Sequence, residues 1–298
     1  MNSKASRLHG GGSQGLAGAA ASVASAMINR LAPSLAMRRA EDNLLSPASR
    51  RVDLARLPHG IEAMRLDTRE GHIQTYHLGQ GPVVLLTHGW ATGAYQHFPL
   101  MRGLSRCGFR ALAFDQFGHG HSAGDTVSLQ SFVTATNLVL KYVSDNARDG
   151  MAGIVAHSMG CIALANASAR LIGDTPLMLI APVFNFRDYF ARQVRKSGLS
   201  AKLAARCLAR LEQASGLGHG SMALDKKLVA FADQTVIVHD REDTESNFVD
   251  SVNFCAANPL ARLNTTTGQG HDRILHCESV WQQLKSQLNY EDITASPF

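Results

Sequence analysis

The sequence predicts an α/β fold: a mostly parallel central sheet with helices on both faces and a small helical lid. Three observations predict it. From about residue 58, short apolar runs alternate with helix-length segments, the pattern of a parallel sheet covered on both sides. A serine stands where one such run meets a helix, at Ala156-His157-Ser158-Met159-Gly160. One segment, 187–227, interrupts the alternation with helical spacing alone.

The elements follow in order. Residues 1–57 form an N-terminal helical extension: 1–15, with His9-Gly10-Gly11-Gly12, reads as flexible, and 16–45 as an Ala/Leu-rich helix interrupted at Pro33. Leu16 to Ile28 is too short for a membrane span, which needs about 20 residues. Lys4 and Arg7 ahead of it and Ala24-Ser25-Ala26 near its end imitate a secretory leader. An extra helix of a cytoplasmic protein is the favoured reading, with export as its rival.

Residues 58–186 are the first part of the core. Ile61 to Leu66 and His72 to Leu78 flank a turn ending at Gly71 and predict an antiparallel hairpin. Strands follow at Val83 to Thr87, Ala111 to Phe114, Gly153 to Ala156 and Leu177 to Ala181, with helices at 94–107, 128–146 and 159–172 between them. The 187–227 insertion carries Phe190, Val194, Leu199, Leu203, Cys207 and Leu211 at helical spacing. It leaves from the carboxyl end of a strand, the edge where such sheets bind ligands, and so is expected to roof a site. The second part of the core, 228–298, supplies strands at Thr235 to His239 and Arg262 to Thr266.

Composition bounds the function. With 298 residues, 45% hydrophobic and 18% charged, the chain is neither disordered nor fibrous. Five scattered cysteines with no CxxC pair speak against a disulfide framework or a structural zinc site. The net charge of +5 is uneven: residues 1–60 carry +5, 187–227 carry +6, and the remainder −6. Few aromatics interleave with those basic residues, so a solvated helix face is the reading and nucleic acid is not an expected partner. Phosphate chemistry lacks a P-loop, and Gly118-His119-Gly120 is too short for a dinucleotide fingerprint.

The serine at 158 carries the chemistry. At a sharp strand–helix turn its hydroxyl stands clear of the sheet, and small residues two before and two after let the chains approach. A serine nucleophile needs a base, and the base an orienting acid. His271, in a Gly-Gln-Gly-His loop after the last strand, stands at the same carboxyl edge; His276 is the fallback. His88 precedes the serine, in the wrong order for this architecture, His157 adjoins it and points away, and His219 lies in a Gly-rich loop of the insertion. For the acid, Asp243 lies far enough past its strand to curl towards His271. Asp240 is the alternative, more suited to local loop amides. The backbone N–H groups of Trp90 and Met159 are candidates for an oxyanion hole, where one donor is worth about 3 kcal/mol in the transition state.

His88-Gly89-Trp90, Asp115 to Ser122, the serine elbow, Asp240 to Asp243 and Gly270-His271 together resemble the α/β-hydrolase superfamily, over roughly 58–290. The closest likeness is to bacterial hydrolases with HGW, AHSMG, HDRxD and GHxRIL strings. The resemblance implies an α/β-hydrolase fold and the chain order Ser, acid, His, which falls on Ser158, Asp243 and His271. It implies a serine hydrolase acting on a small-molecule carboxylic ester or thioester through an acyl-enzyme, with no metal or cofactor. Ser158 departs from the branch that uses an aspartate nucleophile. Ala156 replaces the usual glycine, and Gln116 stands where many relatives have Arg, putting a loop salt bridge there in doubt. Asp115 and Gly118 match a loop that is structural in the family. The rival reading is a hydrolase-fold protein that binds a ligand or partner without turnover. The sequence carries no signal for oligomeric state.

Overall fold

The computed structural model describes residues 32–45, 50–125, 127–196, 199–214 and 223–290. His9 to Gly12, the Leu16 to Ile28 run with its leader reading, and His219 lie outside the described residues.

Eight strands form one sheet: β1 (Glu62–Thr68), β2 (Gly71–Leu78), β3 (Val83–Thr87), β4 (Arg110–Phe114), β5 (Met151–His157), β6 (Leu177–Ile180), β7 (Thr235–Asp240) and β8 (Arg262–Thr266). Their spatial order is β1-β2-β4-β3-β5-β6-β7-β8. The hairpin partner β2 runs antiparallel to both β1 and β4, and every other pairing is parallel. After β3 the chain goes first to one side, as β4, and then to the other, as β5. That reversal puts a crevice at the carboxyl ends of β3 and β5.

The helices are α1 (Pro33–Leu45), α2 (Phe98–Arg106), α3 (Leu129–Asn146), α4 (Met159–Ala165), α5 (Ala169–Ile172), α6 (Phe186–Lys196), α7 (Ala201–Ala214), α8 (Leu224–Leu228), α9 (Phe248–Ala257), α10 (Gly270–Arg273) and α11 (Glu278–Gln287). Strand alternation splits the core in two. Leu85, Leu112, Ile154, Leu179 and Ile237 face one layer with Phe132 and Val139 of α3 and Ile162 of α4. Val84, Leu86, Ala113, Val155 and Met178 face the other with Leu100 and Leu104 of α2 and Trp281 and Leu284 of α11. A strand covered on both faces has no polar side to present, which is why these runs read as continuously apolar.

Pro33 begins α1, where in the first turn its missing N–H has no intrahelical acceptor to lose; the expected helical stretch ahead of it, 16–31, lies outside the described residues. Two expectations change. The expected helix over 159–172 is two helices, because Asn166 ends α4 with its side chain on the Ile162 carbonyl and Ser168 starts α5. The expected helix over 94–107 begins with a 3-10 turn, Ala94–His97, before α2. Between β6 and β7 the chain builds α6, α7 and α8 and, among the described residues, no strand. The helix α1 buries Ala36, Met37 and Ala40 and packs on α7.

Candidate active site

The strand β5 ends at His157, and α4 begins at Met159. The residue between them turns the chain through φ 53° and ψ −119°, a left-handed conformation that costs a non-glycine residue about 1–3 kcal/mol. The turn exists because neighbouring chains press on it. A Cβ on Gly160 would stand 2.7 Å from the His88 carbonyl oxygen and 3.0 Å from that of Thr87. A Cβ on Gly89 would stand 2.8 Å from Ser158 Cβ and 3.2 Å from its Oγ. Ala156, in place of the usual glycine, is wholly buried at the end of β5 without displacing the turn.

The hydroxyl of Ser158 lies 2.8 Å from Nε2 of His271, and Nδ1 of that ring lies 2.7 Å from Oδ2 of Asp243. His271 sits in the short helix α10, entered through Gly268 and Gly270 at φ 79° and 66°, where L side chains are strained. A second tether fixes it. His157 does not face Ser158, but its Nε2 donates to the His271 carbonyl at 3.0 Å, and the two rings lie 5.0 Å apart. Burial, with His271 beside it, holds His157 well below its ordinary pKa, so its ring is neutral.

Asp243 is fully buried and richly supplied with donors. Oδ1 accepts the backbone N–H of Glu245 at 2.7 Å and of Ser246 at 3.0 Å; Oδ2 accepts from Ser246 Oγ at 2.8 Å and His239 Nε2 at 3.2 Å. Burial alone would raise this carboxyl's pKa. The hydrogen bonds from His239 and His271 outweigh it and hold the group far below the carboxylate range. Asp240 does not reach His271. It accepts the amides of Glu242 and Gln269 and the Thr266 hydroxyl, the loop role expected of it.

The remaining candidates separate. His88 is wholly buried, with Nδ1 donating to the Gly89 carbonyl and Nε2 accepting the Gln116 amide. His276 closes a 3-10 turn ahead of α11. The indole of Trp90 stacks on Phe132 at 5.3 Å and meets Phe190 of α6 edge-on at 5.1 Å. The N–H of Met159, first residue of α4, has no intrahelical acceptor, and the Gly89–Ser158 contact brings the chain around Trp90 against the serine. Asp115 holds loops together, accepting Ala94 N–H at 2.9 Å, His121 N–H at 3.0 Å and Tyr76 O–H at 3.0 Å. Gln116 makes no salt bridge; its amide donates to Thr87 Oγ1 at 2.9 Å and Thr136 Oγ1 at 3.3 Å.

Ser158 is only 2% exposed, and α6 packs against Trp90 through Phe186 and Phe190. Tyr189 and Phe190 of α6 are buried, and Glu245, two residues after Asp243, ties the same helix down. Its carboxylate accepts Gln193 Nε2 at 2.6 Å and pairs with Lys196. Sequence reasoning passed over His239, Ser246 and the Glu245 tie. For His239 a signal existed: it stands four residues before Asp243, directly after the aliphatic run Val236-Ile237-Val238 of its strand, where a buried imidazole needs partners.

A family profile described as "Serine aminopeptidase, S33" matches residues 80–286. Among solved structures, the Pyrococcus furiosus esterase Pf2001 superposes with a TM-score of 0.62 at 18% identity, over 83% of this chain and 96% of that one. The thioesterase domain from the curacin biosynthetic pathway gives 0.56 at 16%, over 77% and 99%. Est1E from Butyrivibrio proteoclasticus gives 0.57 at 18%, over 76% and 99%. At these identities the likeness is one of fold. No protein of curated function matches the sequence.

Proposed function

Because the chain belongs to the α/β-hydrolase family described as serine aminopeptidase S33, we propose that it is a serine hydrolase cleaving a small-molecule carboxylic ester or thioester. One observation carries the reading: the unbroken hydrogen-bond chain from Ser158 through His271 to Asp243. His271 Nε2 takes the Ser158 proton as the hydroxyl oxygen attacks the acyl carbon. Asp243 holds Nδ1 protonated and stabilises the imidazolium that forms. The amides of Trp90 and Met159 receive the oxyanion, and the leaving group takes the proton from His271. Water, deprotonated by the same ring, then releases the acid from acyl-Ser158. Every role is filled by groups of this chain, without a metal or organic cofactor.

The neighbours named as esterases and a thioesterase domain point to esters and thioesters as the first substrates to test, and the family's aminopeptidase description adds an amide to the panel. With the serine 2% exposed, the 187–227 segment acts as a lid that must lift from the site to admit substrate. The test is a fluorophosphonate probe together with p-nitrophenyl esters of graded chain length, acyl thioesters and an amide. Wild type is expected to label and turn over, and Ser158→Ala to do neither. Labelling that persists in Ser158→Ala means another nucleophile; an unlabelled, inactive wild type favours the binding-protein reading.

A further inference from the structure

The Asp243 carboxylate serves two imidazoles. His271 approaches Oδ2 from α10 at 2.7 Å, and His239 approaches the same oxygen from the end of β7 at 3.2 Å. The second ring is wholly buried and its tautomer is dictated by its neighbours. A carboxylate oxygen only accepts, so Nε2 of His239 carries the proton that faces it. Nδ1 is then the acceptor, and the Ser251 hydroxyl of α9 stands 2.7 Å from it. Nε2 also lies 3.1 Å from Ser246 Oγ, which itself donates to Oδ2. The Phe248 ring, 5.6 Å away and edge-on, closes the remaining side.

We propose that His239 is a positioning residue for the triad: anchored by Ser251, it fixes the Asp243 carboxylate and takes up part of the charge that Asp243 offers His271. This rests on the Ser158–His271–Asp243 reading and deepens it. Packing alone does not account for an imidazole here. Val236, Ile237 and Val238 fill the preceding positions of β7 with aliphatic side chains, whereas both nitrogens of His239 are aimed at named partners. A carboxylate whose lone pairs are shared among more donors stabilises an adjacent imidazolium less. Removing the His239 N–H therefore strengthens the pull of Asp243 on protonated His271 and frees the carboxylate to turn. The other titratable groups shown to act on His271 are His157 of the elbow, Asp272 beside it on α10, and Glu245. None of them is altered by a change at 239.

The experiment is the rate of fluorophosphonate labelling of Ser158 against pH in wild type, His239→Leu, His239→Gln and Ser251→Ala, with folding checked by circular dichroism. For His239→Leu the plateau rate is expected to fall about tenfold. Its acid limb should move up by about half to one pH unit. Ser251→Ala should move both in the same direction by less, and His239→Gln, which keeps an N–H donor, should restore most of the plateau. A folded His239→Leu with an unmoved acid limb overturns the proposal, since a packing role predicts rate loss alone. If His239→Leu does not fold, an unmoved limb in Ser251→Ala overturns it equally. A wild type that does not label, or Ser158→Ala that does, overturns the triad reading and this proposal with it.

Discussion

At the scale of single residues, two aspartates three positions apart separate by what donates to them. Asp240 accepts two backbone amides and a threonine hydroxyl, all from the loops around the ends of β7 and β8. Asp243 accepts two backbone amides and three side-chain groups, one of them His271. Asp243→Asn is thus expected to slow turnover by about 10⁴-fold with the fold intact, because an amide in that place favours the wrong imidazole tautomer. Asp240→Asn is expected to cost about 1–3 kcal/mol of stability by leaving loop donors poorly paired, with the chemistry changed far less. Parallel measurement of kcat and of urea midpoints separates the two; a reversed pattern assigns the acid to Asp240. The convergence of Ser158, His271 and Asp243 was legible because each follows a recognisable strand, and parallel strands deliver their following loops to one edge. His239 was not legible, since hydrogen bonds running sideways from a strand leave no trace in apolar periodicity.

At the scale of elements, the question is what holds α6 against Trp90 and the loop that carries Asp243. The carboxylate of Glu245 holds the C-terminal half of α6 through Gln193 and Lys196, while its backbone N–H holds Asp243. One residue thereby joins the proposed lid to the proposed acid. The ion pair is partly exposed, 45% on the lysine side and 31% on the glutamate side, so its worth is about 1 kcal/mol at most, a factor of about five. Glu245→Ala is expected to leave the amide bond to Asp243 intact and to raise tryptic cleavage at Arg195 and Lys196 a few-fold. Fluorophosphonate labelling should rise in proportion; unchanged rates in both would place the hold on α6 elsewhere, in its aromatic contacts with Trp90. Element boundaries were legible where a strand is bare of turns, as at Val83–Thr87 and Arg262–Thr266. They were misread at Asn166, where one side chain's local bonding decides where a helix stops.

At the scale of the whole molecule, the interior holds an uncommon load of neutral imidazole. Burial pushes His77 and His97 down to about 4 and His88 and His119 to about 3, and His157 lies well below its ordinary value. Their bonding requires neutrality. His88 and His119 each accept a backbone amide on Nε2, and His77 accepts Arg110 on Nδ1, so a proton added there breaks a buried hydrogen bond. In the unfolded chain each ring returns to about 6.5. Below that pH the unfolded state binds more protons than the folded one, and each histidine withdraws about 1.4 kcal/mol of stability per pH unit, until pH nears its folded value. The stability these rings permit is thus fully present above about pH 6.5 and is lost progressively below it, down to about 4 for His77 and His97 and about 3 for His88 and His119. Five acting together remove several kcal/mol by pH 5, comparable with the about 5–15 kcal/mol that holds a domain folded. The depressed carboxyl of Asp243 acts later, withdrawing its share only as pH falls below the ordinary aspartate value of 3.8. Urea midpoints are therefore expected to drop steeply between pH 6.5 and 5, ahead of the Asp243 contribution; a flat profile over that interval would mean that the buried rings take up protons without loss. Protonation of the buried rings is thus expected to remove activity and fold together, read as a parallel loss of turnover and of the circular dichroism signal.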